Sequence, residues 1–261
     1  MEPVEHPYAQ LERDLTGTAF ANIRYLESTA STNEDAAKIL GEPKAAGLSI
    51  IAESQTAGAG RRQGRTWLAQ PGTSLLVTTI LPRDMPSAHL WVVPYGVAIC
   101  VSRALYANGV KTELHWPNDL LLDGKKLCGI LCISRIVGDR AWVGAGVGIN
   151  VHRTPGAAEN ITPPPAFCDD VNPNINRASL LRDLLLNYDV WNSTLDMPQR
   201  IARVWERMAG LPGKRYRILK DGESQPIDVT ALGLANNGGL IVQHDGGRKE
   251  TIALADARAL R

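Results

Sequence analysis

Two compact apolar runs, LSIIAE (48–53) and SLLVTTIL (74–81), flank a stretch that no buried strand can continue through. Apolar runs of that length with little alternation read as strands covered on both faces. Between them lies GAGRRQGRTW (58–67), with three glycines and three arginines in ten positions. A chain built this way must hold two core strands in one sheet while a bare, cationic loop hangs from their ends.

The remaining segments fit an α/β layer around those strands. After a polar lead-in, NIRYLE (22–27) reads as a strand. STNEDAAKIL (31–40) reads as a helix opened by a capping box from Ser31 to Glu34 and stopped at Gly41. Residues 94–108 place Val97, Val101, Ala104 and Leu105 on one helical face, with Gly109 as the stop. ELHW (113–116), LLL (120–122) and KLCGILCISR (126–135) read as strands, the last two joined by an Asp123-Gly124 hairpin turn. AWVGAGVGINV (141–151) is a further strand whose glycines mark close approach by a ligand or another backbone.

Residues 153–177 read as an irregular loop, followed by a helix with Leu181, Leu184, Leu185, Tyr188 and Trp191 on one face and a second helix over 199–208. From residue 213 the texture changes to short β-rich runs separated by KDGE, NNGG and DGGR, the pattern of a small barrel or sandwich. The expected architecture is α/β (α+β): a mixed-sheet domain over 1–210 and a small β domain over 211–261.

Composition narrows the function classes. Lysine plus arginine total 28 against 27 for aspartate plus glutamate, so no global field draws in nucleic acid or an anionic membrane. The N-terminus carries acids where a signal peptide needs a basic start, and LWVVPYGVAICV (90–101) is too short to span a bilayer, which places the chain in the cytosol. Cys100, Cys128, Cys132 and Cys168 form no C-x-x-C pair and read as buried small hydrophobes, so no protein-held metal is expected.

Two constellations carry chemistry. Gly58, Gly60 and Gly64 let backbone N–H groups approach a phosphate, and Arg61, Arg62 and Arg65 each offer a planar fork of donors. The loop is neither a Walker loop nor a dinucleotide fingerprint, and a solvated surface loop explains it equally well by itself. In HWPNDLLLDGKKLCGIL (115–131), Trp116 and Pro117 make an apolar corner and Asn118 and Asp119 supply turn-forming oxygens. The hairpin then presents Lys126 beside Gly129, where an anion fits between ammonium and bare backbone, while Lys125 reads as a solvated charge.

The ordered series STNED, ESQTAGAGRRQGRTW, GTSLLVTTILP, WPNDLLLDGKKLCGIL and GVGINV, dense over residues 25–151, resembles the biotin protein ligase family. The resemblance implies a class II synthetase-like catalytic domain with a small C-terminal SH3-like β-barrel. It implies formation of biotinyl-5'-AMP from biotin and ATP with Mg²⁺, then transfer of biotin to a lysine of a biotin carboxyl carrier protein. Lys126 and Arg61 take catalytic roles; Ser31, Thr32, Asn33, Gln55, Gly58, Ala59, Gly60, Arg61, Lys126 and Gly129 contact biotin. Gly60, Arg61, Arg62, Arg65, Trp67, Asn118, Lys126 and Asn150 contact ATP. Too few residues precede the first strand for a DNA-binding domain, so a ligase without operator binding is expected, and family precedent favours a homodimer.

The pattern departs from the family at three points: Ala59 replaces a loop arginine, one extra residue separates Arg61 from Gly64, and His115 stands where lysine is common. Arg62 is the candidate substitute for the missing guanidinium. Competing readings are a lipoate or octanoate ligase or transferase of the same superfamily, a nucleic-acid-binding module using the arginine loop, and a structural role for the β-rich tail.

Overall fold

The computed structural model describes residues 6–60, 66–67, 69–154, 161–254 and 257–260. Along the chain run α1 (Ala9–Asp14), β1 (Ile23–Thr29), α2 (Thr32–Ile39), β2 (Ser49–Gln55), β3 (Ser74–Ile80), β4 (Met85–Pro86), α3 (Val93–Ala107), β5 (Glu113–His115) and β6 (Asp119–Leu122). They continue as β7 (Lys125–Val137), β8 (Arg140–Asn150), α4 (Arg177–Asn192), α5 (Pro198–Ala209), β9 (Arg215–Lys220), β10 (Ile227–Leu234), β11 (Leu240–His244), β12 (Lys249–Ile252) and β13 (Ala257–Leu260). The first eight strands form one mixed sheet in the order β1-β2-β3-β8-β7-β6-β5, with β4 on β8. Only β1 and β2 run parallel, because α2 carries the chain between them.

The two faces of this sheet differ for a reason visible in β8. Val143, Ala145, Val147 and Ile149 enter the main core, which also holds the buried faces of α3 and α4. The intervening Gly144, Gly146 and Gly148 point to the opposite face and leave it bare, since side chains alternate along a strand. On that face α2 covers only one end, through Ala36 and Leu40 packed with Ile50, Ile80, Ile133 and Trp142. The uncovered remainder is the cleft described below.

Several expectations change in the structure. The lead-in is not simply polar: Tyr8, Leu11 and Leu15 are buried at helical spacing around α1. Ser31 is the N-cap of α2 but makes no capping hydrogen bond, so the capping box with Glu34 does not form. The amide of Thr32 is instead taken by Gln55 Oε1 at 2.8 Å, a cap supplied from β2. Among the described residues the C-terminal sheet is open, in the order β12-β11-β10-β9-β13, and no ladder joins β12 to β13 to close a barrel.

The apolar run also proves longer than the twelve residues counted from sequence. A 3-10 turn leads directly into α3, giving a 21-residue segment, Ser87–Ala107, within which an 18-residue window has a mean hydropathy of 1.4. It is long and apolar enough to cross a membrane by length and composition alone, and it lies mostly buried within the fold. Its neighbours are α4, α5 and the sheet.

One half-buried and one buried contact fix the layer that lies under the cleft. Arg177, at the start of α4, donates to Glu53 Oε2 at 2.9 Å and to the Ser74 carbonyl at 3.3 Å, tying the end of β2 to the start of β3. On α3, Gly96 admits the indole of Trp191 from α4, since a Cβ at Gly96 would lie 2.2 Å from Trp191 Cζ2. Alanine gains about 1 kcal/mol over glycine inside a helix, but overpacking of this severity costs more, about 3 kcal/mol. Gly96→Ala is therefore expected to lose about 2 kcal/mol net and roughly 6 °C in thermal midpoint, with the loss largely removed in a Trp191→Leu background. Thermal unfolding of the two variants checks this.

Candidate functional site

The cleft follows two rows of residues across the sheet. Strand register aligns Thr78 with Gly146 and Gly146 with Leu131, and likewise Leu76 with Gly148 and Gly148 with Gly129. Rows two residues apart lie roughly 7 Å from one another along the strands. Together with the start of α2 and the end of β2 they line a single concave, open-mouthed cleft.

One row is polar. Asn33 lies against Gly146, where a Cβ would come 2.4 Å from its Oδ1, and its Nδ2 donates to the Leu131 carbonyl at 3.1 Å. Thr78 Oγ1 is 2.8 Å from Asn33 Oδ1 and 2.9 Å from Thr32 Oγ1, and Thr32 Oγ1 is 3.1 Å from Gln55 Oε1. Ser31 and Thr32 are both buried and both line the cleft.

The other row carries an aromatic ring and a cation. Trp67 rests on the Gly129–Gly148 pair, since a Cβ on either glycine would lie 2.9 Å from the indole. The ends of the glycine-arginine loop meet there: Ala59 bridges Thr66 in antiparallel fashion and Trp67 N–H donates to the Gly58 carbonyl at 2.8 Å. Lys126 Nζ lies 5.7 Å from the Trp67 ring centroid, within cation–π range.

Lys126 reaches this face through an irregularity. Residues three apart on a regular strand point to opposite faces, which would separate Lys126 from Gly129. The β6–β7 register pairs Asp119 with Gly129 and Leu120 with Cys128, then shifts so that Leu121 pairs with Lys126. The extra residue, Leu127, is fully buried, and Lys126 returns to the side of Gly129, its Nζ 3.1 Å from where a Cβ of that glycine would stand. The same shift brings Lys126 Nζ to 2.6 Å from Asp119 Oδ1, in a pair whose side chains are 26% and 15% exposed.

Of the residues singled out from sequence, Ser31, Thr32, Asn33, Gln55, Ala59, Gly60, Trp67, Asn118, Lys126 and Gly129 line this one cleft. Gly58 is buried behind it, with a Cβ position 3.0 Å from both Gln55 Nε2 and the Trp67 carbonyl. Asn118 also donates to the Ile130 carbonyl at 2.7 Å, extending the β6–β7 ladder. Asn150 stands outside the lining: its Nδ2 donates to the Ala166 carbonyl at 3.1 Å and approaches the Lys126 carbonyl at 3.5 Å. Ala166 N–H donates to the same Lys126 carbonyl at 2.9 Å, so part of the long loop straps the backbone at Lys126. His115 is buried with its ring centroid 5.1 Å from that of Tyr216. Lys125 is exposed. Arg61, Arg62, Gly64 and Arg65 lie outside the described residues.

Sequence reasoning missed Thr78, Leu76, Leu131 and the role of Asp119 as partner to Lys126. The alternate glycines of VGAGVGI were the available signal for the first three, because they announce which face of β8 is empty and hence which residues of β3 and β7 border it. None of the four cysteines is paired. Burial raises the thiols of Cys132 and Cys168 to about 12 and that of Cys128 well above its ordinary value, and raises Cys100 as well. None therefore offers a thiolate nucleophile near neutral pH.

Comparison with known proteins agrees with this geometry. Residues 25–150, which hold every cleft-lining residue, match the biotin/lipoate A/B protein ligase family. The Mycobacterium tuberculosis biotin--[acetyl-CoA-carboxylase] ligase is 30% identical over 256 residues, covering 94% of this chain and 91% of that protein. The bifunctional ligase/repressor BirA of Bacillus subtilis is 34% identical over 133 residues, 50% of this chain. The chain spans about half the length or less of the Bacillus relatives it matches, 41% of the B. subtilis protein and 52% of its Bacillus spizizenii counterpart. Among solved structures, the Aquifex aeolicus biotin protein ligase in complex with biotin and ATP superposes with a TM-score of 0.72 at 23% identity, over 92% of this chain and 99% of that one, a likeness of fold. With a relative aligned along nine-tenths of both sequences and a cleft built from the segments that match, this chain belongs to the biotin protein ligases of the biotin/lipoate A/B protein ligase family.

Proposed function

We propose that the chain is an ATP-dependent biotin protein ligase. Its first step joins biotin's carboxylate oxygen to the α-phosphorus of ATP and releases pyrophosphate, giving biotinyl-5'-AMP. In the second, the amine of a lysine on a biotin carboxyl carrier protein attacks the acyl carbon, AMP leaves with the bonding pair, and the amine gives up a proton. The polar row around Ser31, Thr32, Asn33, Gln55 and Thr78 receives the ureido ring, and the row holding Trp67, Asn118, Lys126 and Gly129 receives the nucleotide. Residues 1–210 form the catalytic part and 211–261 an attached β module. Four unpaired cysteines suit the reducing cytosol.

The observation that carries this reading is the ammonium of Lys126, held against the bare backbone of Gly129 in a cleft whose neighbouring row is polar. Both reactants of the first step are anionic, and like charges ~4 Å apart repel by ~4 kcal/mol at an effective dielectric near 20. That amounts to roughly three decades of rate, which a cation fixed between them removes. No group of three or more His, Cys, Asp or Glu able to hold a metal ion lies among the described residues. These residues build no metal cage, so Mg²⁺ is assigned to the ATP phosphates and water. A thioester-forming acyl transferase would need a thiolate, which the buried cysteines do not supply.

Mass spectrometry of a carrier domain incubated with the protein, biotin and Mg-ATP tests the reading directly: a single biotinyl adduct on lysine is expected, and an unmodified carrier overturns it. In a pyrophosphate-release assay, Lys126→Met is expected to slow adenylation by roughly 10³-fold while remaining folded. Adding Asp119→Asn to that variant should recover part of the loss, because it removes one of the negative charges left facing each other. Gly148→Ala places a methyl 2.9 Å from the Trp67 indole. It should raise the KM for ATP about tenfold, equivalent to about 1.4 kcal/mol, and leave biotin affinity within about twofold.

A further inference from the structure

The polar row contains an imbalance of hydrogens that points to one residue as the selector of the ligand's head group. The Leu131 carbonyl can only accept, so the Asn33 amide must turn its nitrogen there, and at 3.1 Å it does. That leaves Asn33 Oδ1 facing Thr78 at 2.8 Å. At the other end the Thr32 backbone N–H can only donate, so Gln55 must present its oxygen, and Oε1 accepts at 2.8 Å. Both ends of the chain of contacts are therefore fixed as acceptors.

Between them stand the hydroxyls of Thr78 and Thr32, with one hydrogen each. They span three oxygen-to-oxygen contacts: Asn33 to Thr78 at 2.8 Å, Thr78 to Thr32 at 2.9 Å, and Thr32 to Gln55 at 3.1 Å. Two hydrogens cannot fill three contacts, so one pair of oxygens always faces without a hydrogen between them. Thr78 is the hub of this shortage, since it is fully buried on β3 and touches both neighbours. Pairing with Gly146 holds it at the floor of the cleft.

We infer that Thr78 is the positioning and specificity-determining residue of the cleft, holding Asn33 and Thr32 as an acceptor-rich edge that selects a head group bringing its own N–H donors. The inference rests on the ligase reading above and deepens it. A cyclic urea carries two N–H groups and fills the deficit. A dithiolane or an alkyl chain carries none and leaves one pair of buried oxygens facing each other with no hydrogen between them. Ser31, which caps no helix amide, remains on the same edge with a hydroxyl to offer the urea carbonyl.

The test is calorimetric titration of the full chain and its Thr78→Val and Thr78→Ser variants with biotin, lipoate and octanoate, alongside KM values for biotin and ATP in adenylation. Valine keeps the volume of threonine and removes only the hydroxyl. Thr78→Val is expected to bind biotin about tenfold more weakly, with the KM for biotin rising in parallel, the KM for ATP unchanged and the preference over lipoate reduced by the same factor. Thr78→Ser should stay within about twofold of the parent, as its hydroxyl restores the contacts. Biotin binding by Thr78→Val that equals the parent's overturns the inference and leaves the ligase reading standing, as does an equal loss toward octanoate. A folded parent that binds no biotin overturns both.

Discussion

The bare face of β8 is the constraint on which the site depends. Glycine at 144, 146 and 148 weakens a central strand, because glycine loses more backbone entropy on folding and offers no side chain to pack. The structure offsets this from the other face, where Val143, Ala145, Val147 and Ile149 enter the main core, and from the two long ladders to β3 and β7. Each glycine position is then used differently. Ile133 leans over Gly144, Asn33 over Gly146 and Trp67 over Gly148. An apolar contact, a polar contact and an aromatic platform thus follow one another along a single strand, and the cleft is the space the last two leave open.

The second constraint is the register shift in β7. Without it, Lys126 and Gly129 would occupy opposite faces, and the ammonium would lie on the side filled by α3 and α4. Burying Leu127 completely at the irregularity pins the shift, since moving back by one residue would expose that leucine and drive the lysine inward. Asp119 completes the arrangement by holding the ammonium at 2.6 Å. A partly exposed pair of this kind contributes little to stability, so its value lies in where it keeps the charge. The strap of Ala166 and Asn150 secures the same residue from its backbone.

Much of this was legible in the sequence, and the failures have physical causes. Long elements with clear periodicity, such as α3, α4 and β8, stand within a few residues of where their patterns put them. The helix of Tyr8, Leu11 and Leu15 was hidden by the charged residues between them, although their spacing of three and four is a helical face. Ser31 carried the local signature of a cap, yet its side chain makes no capping bond, and the first amide of the helix, that of Thr32, is met by Gln55, 24 residues away in sequence from Ser31 and adjacent only through the β1–β2 pairing. Thr78 looked like any residue of a buried strand, and only the register with Gly146 gives it a partner. Asn150, a nucleotide contact by resemblance, also has a structural partner invisible in the sequence, since its amide nitrogen donates to the Ala166 carbonyl. Local pattern fixes elements; which side chains meet is decided by register and by bulges, and those are properties of pairs of strands.

The position of the second sheet follows from the same need to hold the lysine hairpin still. Trp116, fully buried just before Asn118 and Asp119, donates its indole N–H to Tyr95 on α3 at 3.2 Å, and Tyr95 in turn donates to the Gly238 carbonyl in the turn between β10 and β11. The Trp116 backbone N–H faces the Tyr216 hydroxyl of β9 at 3.5 Å, and His115 packs on the same ring. The corner that launches β6 is thus gripped from α3 and from two places on the C-terminal sheet. The hairpin joins the main sheet through the long β7–β8 ladder, but its outer strand β6 has only four residues and beyond it lies only the three-residue edge strand β5, so the corner that launches it has little support from the sheet itself. Clamping its entry against a second sheet supplies the rigidity that a charge must have to act on a reaction rather than drift within its own hydration.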